Sequence, residues 1–593
     1  MKRHIVMLLL MSVGFGLGFS AGPAPAENAL SVDREKVIAV IGSSVAAGWV
    51  TSRERNQDMQ NGWAFRLAWW LAPRGFKVVN TSVPGDTTQK VLDRLEKDLF
   101  PLKPDFVVIA LSLENEGIRG LGGKDPAQVY SGFRNNLREI VARCRAHGIQ
   151  PVLGSVYAND NFTEASHYKY VTDMNLEIGS WDAPSINLLG ALDRGDGCFI
   201  EGITFDLDHP DDTGHRELFH SIVPGLFEAL AQEKPLAVKD GGDGAVRLGA
   251  TDDPAFLSYV PDDPLRSFSL AFDVRPSRPG VVAAVRGFDG KVRELAVAHD
   301  GSLGYRDATR VIHPLKASLL DKAWHQIGVT HHFLKKEIRV FVDGASIGMI
   351  ADTIVPVQFV LGGSGGGPGG NRPAEGEYRD WMVYRSVLNP AEMAALSSGR
   401  LLQSSLEVYS SLKGETPAKD RPVANRAQSL GRVLFSPSKA EVDIERFKTA
   451  VLRENDDEKV YRDPAEKKPV TLAPEILDRL TGLYEIAPEL TLTVEREGGR
   501  LFALMNGGDA GKTELFALSE DRFFIKSVGQ NMEITFGAGK DGRADRLTLK
   551  VDGREMAGKR KRSNENSMTL IGGAGGINTS SLGRISRPTA FSS

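Results

Sequence analysis

Cysteine is the scarcest chemistry-bearing residue in this 593-residue sequence, with only Cys144 and Cys198 present. Two thiols cannot build a disulfide framework, and by themselves they cannot complete a structural zinc site. Sequence does not show whether they meet, and two separate buried thiols are the expected arrangement. Excess charge is also missing. A formal net charge of -4 gives no electrostatic case for nucleic acid, so no nucleic-acid partner is expected. After the first twenty residues no stretch is apolar enough to cross a bilayer, so no membrane span is expected. No internal repeat is evident. No metal or other cofactor is expected.

What is present is ordinary globular material, 41% hydrophobic and 25% charged, which argues against wholesale disorder. One hydrophobic core rarely grows to this length, so about three domains are expected. Residues 1–26 read as a signal peptide. Lys2 and Arg3 form a basic start, Ile5 to Phe19 is apolar, and Ala24-Pro25-Ala26 offers small residues for cleavage. The run is short for an anchor and is interrupted by Gly14, Gly16 and Gly18. Export to a periplasmic or extracellular space is therefore expected.

From 31 to 235 strand and helix signals alternate. Strands are expected at Val37 to Ile41, Lys77 to Asn80, Phe106 to Leu111 and Pro151 to Val156. Helices are expected at Trp63 to Leu71, Thr88 to Leu99, Pro126 to His147, Glu164 to Ser180 and Gly214 to Ala231. Such alternation implies an α/β domain with a parallel sheet covered on both faces. From 240 to 402 the period changes to two, with turn signals at Asp289-Gly290, Asp300-Gly301 and Asp343-Gly344. That pattern reads as an antiparallel β-sandwich. Residues 403–470 are polar and read as a linker. Short strands from 471 to 560 suggest a small β-barrel. Residues 561–593 lose the apolar pattern and read as a disordered tail.

Ligands in a parallel α/β sheet bind beyond the carboxyl ends of its strands. Four segments deserve weight for that reason. Gly42-Ser43-Ser44 follows the first strand, where a serine on a tight turn can expose its hydroxyl and donate its own N–H to an oxyanion. Pro84-Gly85-Asp86 follows the second strand, and Gly85 could aim an N–H into the same cleft. Asn115 follows the third strand and could offer a side-chain N–H. Asp206-Leu207-Asp208-His209 lies late in the domain, where Asp206 could orient His209 to accept the serine proton. Asp208 competes as orienter but adjoins the histidine directly. Each segment alone is more often a turn or a helix cap.

Together the four resemble the blocks of the SGNH, or GDSL-type, hydrolase superfamily, over roughly Lys36 to Leu230. The resemblance implies a three-layer, flavodoxin-like α/β fold and a serine ester hydrolase. It aligns Ser44 with the nucleophile, Gly85 and Asn115 with further oxyanion donors, and Asp206 and His209 with the acid and base. Two departures stand out. Ser43 occupies the position usually held by Asp, and Asn115-Glu116 lacks the usual leading glycine and replaces the usual Asp with Glu.

The middle region resembles laminin-G-like or concanavalin-like domains through Trp324 to Thr330 and Arg339 to Gly344, modules that often bind glycans. Leu480 to Ala557 resembles a small lipocalin-like domain, through Gly482-Leu483-Tyr484 and Asp521 to Phe524. Two functions are expected to compete. The first is an exported carboxylic ester hydrolase, most attractively an acetylesterase on a polysaccharide or glycoconjugate, with an ester, such as an acetylated glycan, as its partner. The second is a carbohydrate- or surface-binding protein on a dead hydrolase scaffold. His331-His332 is not expected to bind metal, because strand neighbours face opposite ways. The Gly362 to Gly370 run and Lys559 to Arg562 are expected to be a flexible connection and a solvated charge run.

Overall fold

The computed structural model describes residues 35–438 and 469–561, apart from 50–61, 121–122, 205, 251–254, 365–371, 488–489, 506–512, 526–531, 540–541 and 552–553. The expected signal peptide, the expected tail beyond 561 and most of the Gly362 to Gly370 run lie outside the described residues. The chain divides into two compact units, with the described residues 35–438 in the first and those of 469–561 in the second.

The first unit opens with β1 (Lys36–Gly42), a run of Val, Ile and Ala whose centre is buried on both faces, as a central parallel strand must be. A four-residue helix, α1 (Ser44–Ala47), follows directly, then α2 (Trp63–Leu71) and β2 (Phe76–Asn80). Next come α3 (Thr88–Arg94), β3 (Phe106–Ala110) and the short α4 (Leu113–Glu116). The long α5 (Pro126–Ala146) starts at Asp125, whose carboxylate accepts from the Ala127 N–H at 3.1 Å, with Pro126 at its first position. Phe133, Leu137, Ile140, Val141 and Cys144 form its buried stripe at helical spacing. Then come β4 (Gln150–Gly154), α6 (Ala165–Ser180), β5 (Ser185–Ile186) and α7 (Leu189–Leu192). The domain closes with α8 (Asp212–His220) and α9 (Leu226–Ala231).

The sheet order is β2-β1-β3-β4-β5, all parallel. The chain leaves β1 for one side and later crosses to the other, so the switch point lies between β1 and β3. That is where such folds hold ligands. The expected α/β domain is therefore present, with two differences in detail. The single helix expected over Gly214 to Ala231 is two, because Pro224 lacks the N–H that would continue the ladder. The helix expected to reach Leu99 ends at Arg94, where a π-helical turn, Leu95–Leu99, takes over.

Two antiparallel sheets follow. One runs Ile312–Ser318, Ser302–Arg306, Val292–Val297, Gly280–Gly287, Pro356–Leu361, Leu257–Tyr259, Val433–Phe435 and Pro422–Val423 in spatial order. The other runs Ala345–Ala351, Glu337–Val342, His325–His332, Phe268–Pro276, Gly376–Tyr384 and Leu406–Ser410, with Val246–Leu248 also on Gly376–Tyr384. Both sheets contribute to one buried cluster that includes Phe268, Ile327, Phe359 and Trp381.

The expected linker needs correction. Within 403–470, Leu406–Ser410, Pro422–Val423 and Val433–Phe435 are strands of these sheets. Their polar composition hid them because their polar groups are buried in pairs: Glu407 accepts from Tyr259 Oη at 2.5 Å and from Arg385 Nε at 2.7 Å.

These sheets are welded to the α/β domain. Ser404 forms a parallel bridge with Ser185 on β5, and the Ser185 and Ser404 hydroxyls lie 2.8 Å apart. The Asn187 N–H donates to Ser405 Oγ at 2.8 Å, and that hydroxyl donates to the Ser221 carbonyl at 2.6 Å. Arg266 and Glu217 form a buried ion pair at 2.6 Å. A Cβ on Gly190 would overlap the Val387 carbonyl, so the close approach requires glycine there.

In the second unit a helix, Pro474–Leu480, precedes eight strands from Gly482–Ala487 to Arg554–Arg560. Each pairs with the next, and the last pairs with the first, which closes a barrel. Its own core includes Tyr484, Phe523, Ile534 and Phe536. Arg560 in the basic run donates to the Thr481 and Ala544 carbonyls.

Candidate active site

The site forms at the carboxyl ends of β1, β2, β3 and β4. β1 ends at Gly42, where a Cβ would overlap the Ala110 carbonyl oxygen at the end of β3. Only glycine lets the two strand ends close to this spacing. Ser44 then begins α1, a helix of one turn that ends at Gly48 in a left-handed conformation, φ 81°. As a first-turn residue, Ser44 has an N–H without an intrahelical acceptor.

Ser44 Oγ lies 2.9 Å from His209 Nε2. His209 Nδ1 lies 2.8 Å from Asp206 Oδ2. The other oxygen of Asp206 accepts from the backbone N–H groups of Asp208 at 2.8 Å and His209 at 2.7 Å. The carboxylate thus fixes the loop as well as the ring. Thr204 Oγ1 donates to the His209 carbonyl at 2.7 Å and pulls the loop into a tight turn. His209 and Asp206 are partly covered, with side chains 15% and 26% exposed.

Asp208 has a different place. Its Oδ1 accepts from the side-chain amides of Asn159 at 3.0 Å and Asn161 at 2.8 Å, both in the segment after β4. The Asp160 N–H donates to the Leu207 carbonyl at 2.8 Å. Asp208 therefore fastens the histidine loop to the neighbouring loop, with its Oδ1 turned to the two asparagines.

Gly85 has φ 77°, and a Cβ there would meet open space. Its loop is braced by Arg94, which pairs with Asp86 at 2.7 Å and donates to the Thr81 carbonyl at 2.8 Å. Asn115 on α4 donates from Nδ2 to the Asp86 carbonyl at 3.1 Å, which brings the second and third segments together. That amide carries two N–H groups, so one bond leaves a second donor.

The two departures from the family pattern have structural roles. Ser43 is fully buried, with Oγ 2.9 Å from Tyr157 Oη. Burial pushes the Tyr157 hydroxyl up to about 12, so it stays protonated. Glu116 accepts from the Thr88 N–H at 2.5 Å and ties α4 to the start of α3, while burial raises its carboxyl.

Sequence reasoning did not single out Tyr157, Asn159 or Asn161. The rule that chemistry follows each strand did point to the segment after β4, and residue type alone did not separate these three from an ordinary polar loop. His215 was also passed over. It is buried beneath the site, takes the Trp63 N–H on Nδ1 at 3.3 Å, and is pushed down to about 3 by burial. Cys144 and Cys198 are separate buried thiols, raised to about 12 and about 11 by burial.

The chain thus combines a parallel α/β sheet ordered 2-1-3-4-5 with a Ser-His-Asp contact at its switch point. Residues 40–217 match the GDSL-like Lipase/Acylhydrolase family, and residues 466–560 match a domain of unknown function (DUF3471). The matches support an SGNH/GDSL-type hydrolase domain in the N-terminal part of the chain.

Among particular proteins, the chain is similar to Esterase TesA of Pseudomonas aeruginosa, with 33% identity over 129 residues. That alignment covers 21% of this chain and 57% of the relative, so the chain spans little more than half of that protein's length. The crystal structure of TesA aligns at 25% identity over 31% of this chain and 95% of its own, with a TM-score of 0.26. The acetylxylan esterase Axe2 from Geobacillus stearothermophilus aligns at 18% identity over 32% and 94%, also with a TM-score of 0.26. No helix among the described residues is long and apolar enough to cross a membrane.

Proposed function

We propose that the chain is a serine ester hydrolase. The observation that carries this reading is the unbroken relay from Ser44 Oγ through His209 to Asp206, at 2.9 and 2.8 Å. Ser44 attacks the ester carbonyl while His209 Nε2 takes its proton, and Asp206 holds the tautomer and stabilises the imidazolium. The tetrahedral oxyanion is met by the N–H groups of Ser44 and Gly85 and by Asn115 Nδ2. The alcohol leaves with the proton from His209. Water then repeats the sequence on the acyl-enzyme and releases the acid. The family match and the esterase relative support an ester as the substrate class.

The finer reading is an exported acetylesterase acting on an acetylated polysaccharide or glycoconjugate. It rests on the N-terminal sequence and on the antiparallel sheets beside the hydrolase domain, read as a laminin-G- or concanavalin-like sandwich.

Ser44 should react with a fluorophosphonate probe, since the neighbouring imidazole activates its hydroxyl. Ser44→Ala should abolish labelling and the hydrolysis of short-chain aryl esters while leaving the melting temperature within a few degrees. Labelling that persists at Ser43 in this variant would overturn the assignment.

A further inference from the structure

The outer face of the eight-stranded sheet carries a groove of about 460 Å³, within the size range of ligand sites. Strand alternation builds it. Leu295, Val297, Leu303 and Tyr305 point into the core, so Ala296 and Gly304 face outward. Ile312 and Pro314 on the next strand extend this floor, and Ile312 is 57% exposed. The floor is apolar, with Ile312 packed beside Gly304.

The rim is basic. Arg278, Arg306 and Arg372 line it, with His299 beside them. Glu375 is the carboxylate in the lining, and it is shared between Arg247 at 2.5 Å and Arg278 at 3.2 Å. These arginines and Arg372 hold the Glu375 carboxyl below its usual range. Glu294 pairs with Arg306 at 2.5 Å. The lining itself therefore carries three arginines, Arg278, Arg306 and Arg372, against one carboxylate, Glu375.

Among the described residues, no aromatic ring lines the groove. A neutral sugar would find no stacking platform here, and the groove must draw its affinity from charge. Planar guanidinium groups suit carboxylate and sulfate oxygens, with which they pair in a fixed fork.

We propose that this groove binds an anionic sugar chain. Its carboxylate or sulfate groups pair with Arg278, Arg306 and Arg372, and its C–H faces lie on Ala296, Gly304 and Ile312. The inference goes beyond the hydrolase reading and does not depend on Ser44.

The test uses the full chain and calorimetric titration with three probes: an oligogalacturonate, a heparin-derived hexasaccharide and neutral xylohexaose. At least one anionic probe should bind, at least tenfold more tightly than xylohexaose, and should weaken as salt rises. Which anionic probe binds better identifies carboxylate or sulfate as the recognised group. Arg278→Ser combined with Arg372→Ser should weaken that binding at least tenfold. The charge-matched control, Arg138→Ser with Arg500→Ser, should not, and circular dichroism should show both variants folded. Equal binding of xylohexaose, no binding of either anionic probe, or equal losses in the two double variants would overturn the proposal.

Discussion

At the residue scale the two acids in the histidine loop have separable tasks. Asp206 faces His209 Nδ1, whereas Asp208 receives the amides of Asn159 and Asn161. Asp206→Asn should therefore lose most of kcat, since an amide can present the wrong group to the ring. Asp208→Asn keeps one acceptor oxygen for the two asparagines and should lose little turnover. Steady-state kinetics on an aryl acetate decides this. Greater damage from Asp208→Asn would show that the loop acts in another register. For the proposed oxyanion donor, Asn115→Ala should lower kcat about a hundredfold or more, near 3 kcal/mol, with a smaller change in KM. Part of any stability loss would come from the bond to the Asp86 carbonyl.

At the element scale the close approach of β1 and β3 depends on Gly42. Gly42→Ala forces a methyl group into the Ala110 carbonyl, so the strand ends must part or the turn at Ser44 must move. The expected result is a loss of a few kcal/mol together with most of the activity, measured by urea unfolding and turnover on the same preparation. Full activity in this variant would mean that the strand ends tolerate the added volume. The ion pair between α8 and the strand region is a second case. Glu217 and Arg266 are both buried, and removing one partner strands the other charge. Glu217→Gln should cost about 3–5 kcal/mol, against little for the Glu217→Met, Arg266→Met pair if packing is kept.

At the scale of the whole molecule, the α/β domain and the two antiparallel sheets should unfold together. Buried hydrogen bonds at Ser185, Asn187 and Ser221 cross between them. A fragment ending at 235 would expose these groups and is expected to be insoluble or only partly folded. A fragment covering 466–561 has its own closed barrel and core and is expected to fold alone, with a cooperative transition in circular dichroism.

Acid stability belongs to this scale as well. His215, His331 and His332 are held near 3, 4 and 3 by burial, below the ordinary histidine value of 6.5. The unfolded chain takes up these protons first. Stability from the neutral rings is therefore complete above about pH 6.5 and falls as pH drops toward 4, at about 1.4 kcal/mol per pH unit for each ring. Glu392 and Asp211, raised to about 7 and about 6 by burial, act in the opposite sense. They hold protons in the fold and add stability as pH falls toward their unfolded values near 4. A difference measurement isolates one ring. His331→Gln should flatten the slope of unfolding free energy between pH 6 and 4 by about one proton relative to the parent chain. An unchanged slope would show that His331 is not a neutral buried ring.

The sequence by itself determined the parallel α/β order and the positions just after the strands. Continuous apolar runs such as Val37 to Ile41 can be satisfied only as strands covered on both faces. It also singled out Ser44, Asp206 and His209 as candidates, because Ser44 directly follows the first strand and Asp206 and His209 share one short loop, and the structure places their side chains in contact. Tertiary structure decided what polar residues do when buried. Glu407 reads as loop composition until Arg385 and Tyr259 are placed against it, and that pairing turned an expected linker into strands. Asp208 was separated from Asp206 by Asn159 and Asn161, which approach from a loop 47 or more residues away. Ser43 and Glu116 looked like defects of a motif, and only their distant partners, Tyr157 and Thr88, give them a role. The physical reason is common to all of these. Apolar periodicity is a local signal that burial enforces on each element separately, whereas a buried polar group is stable only beside a partner that the fold must first deliver.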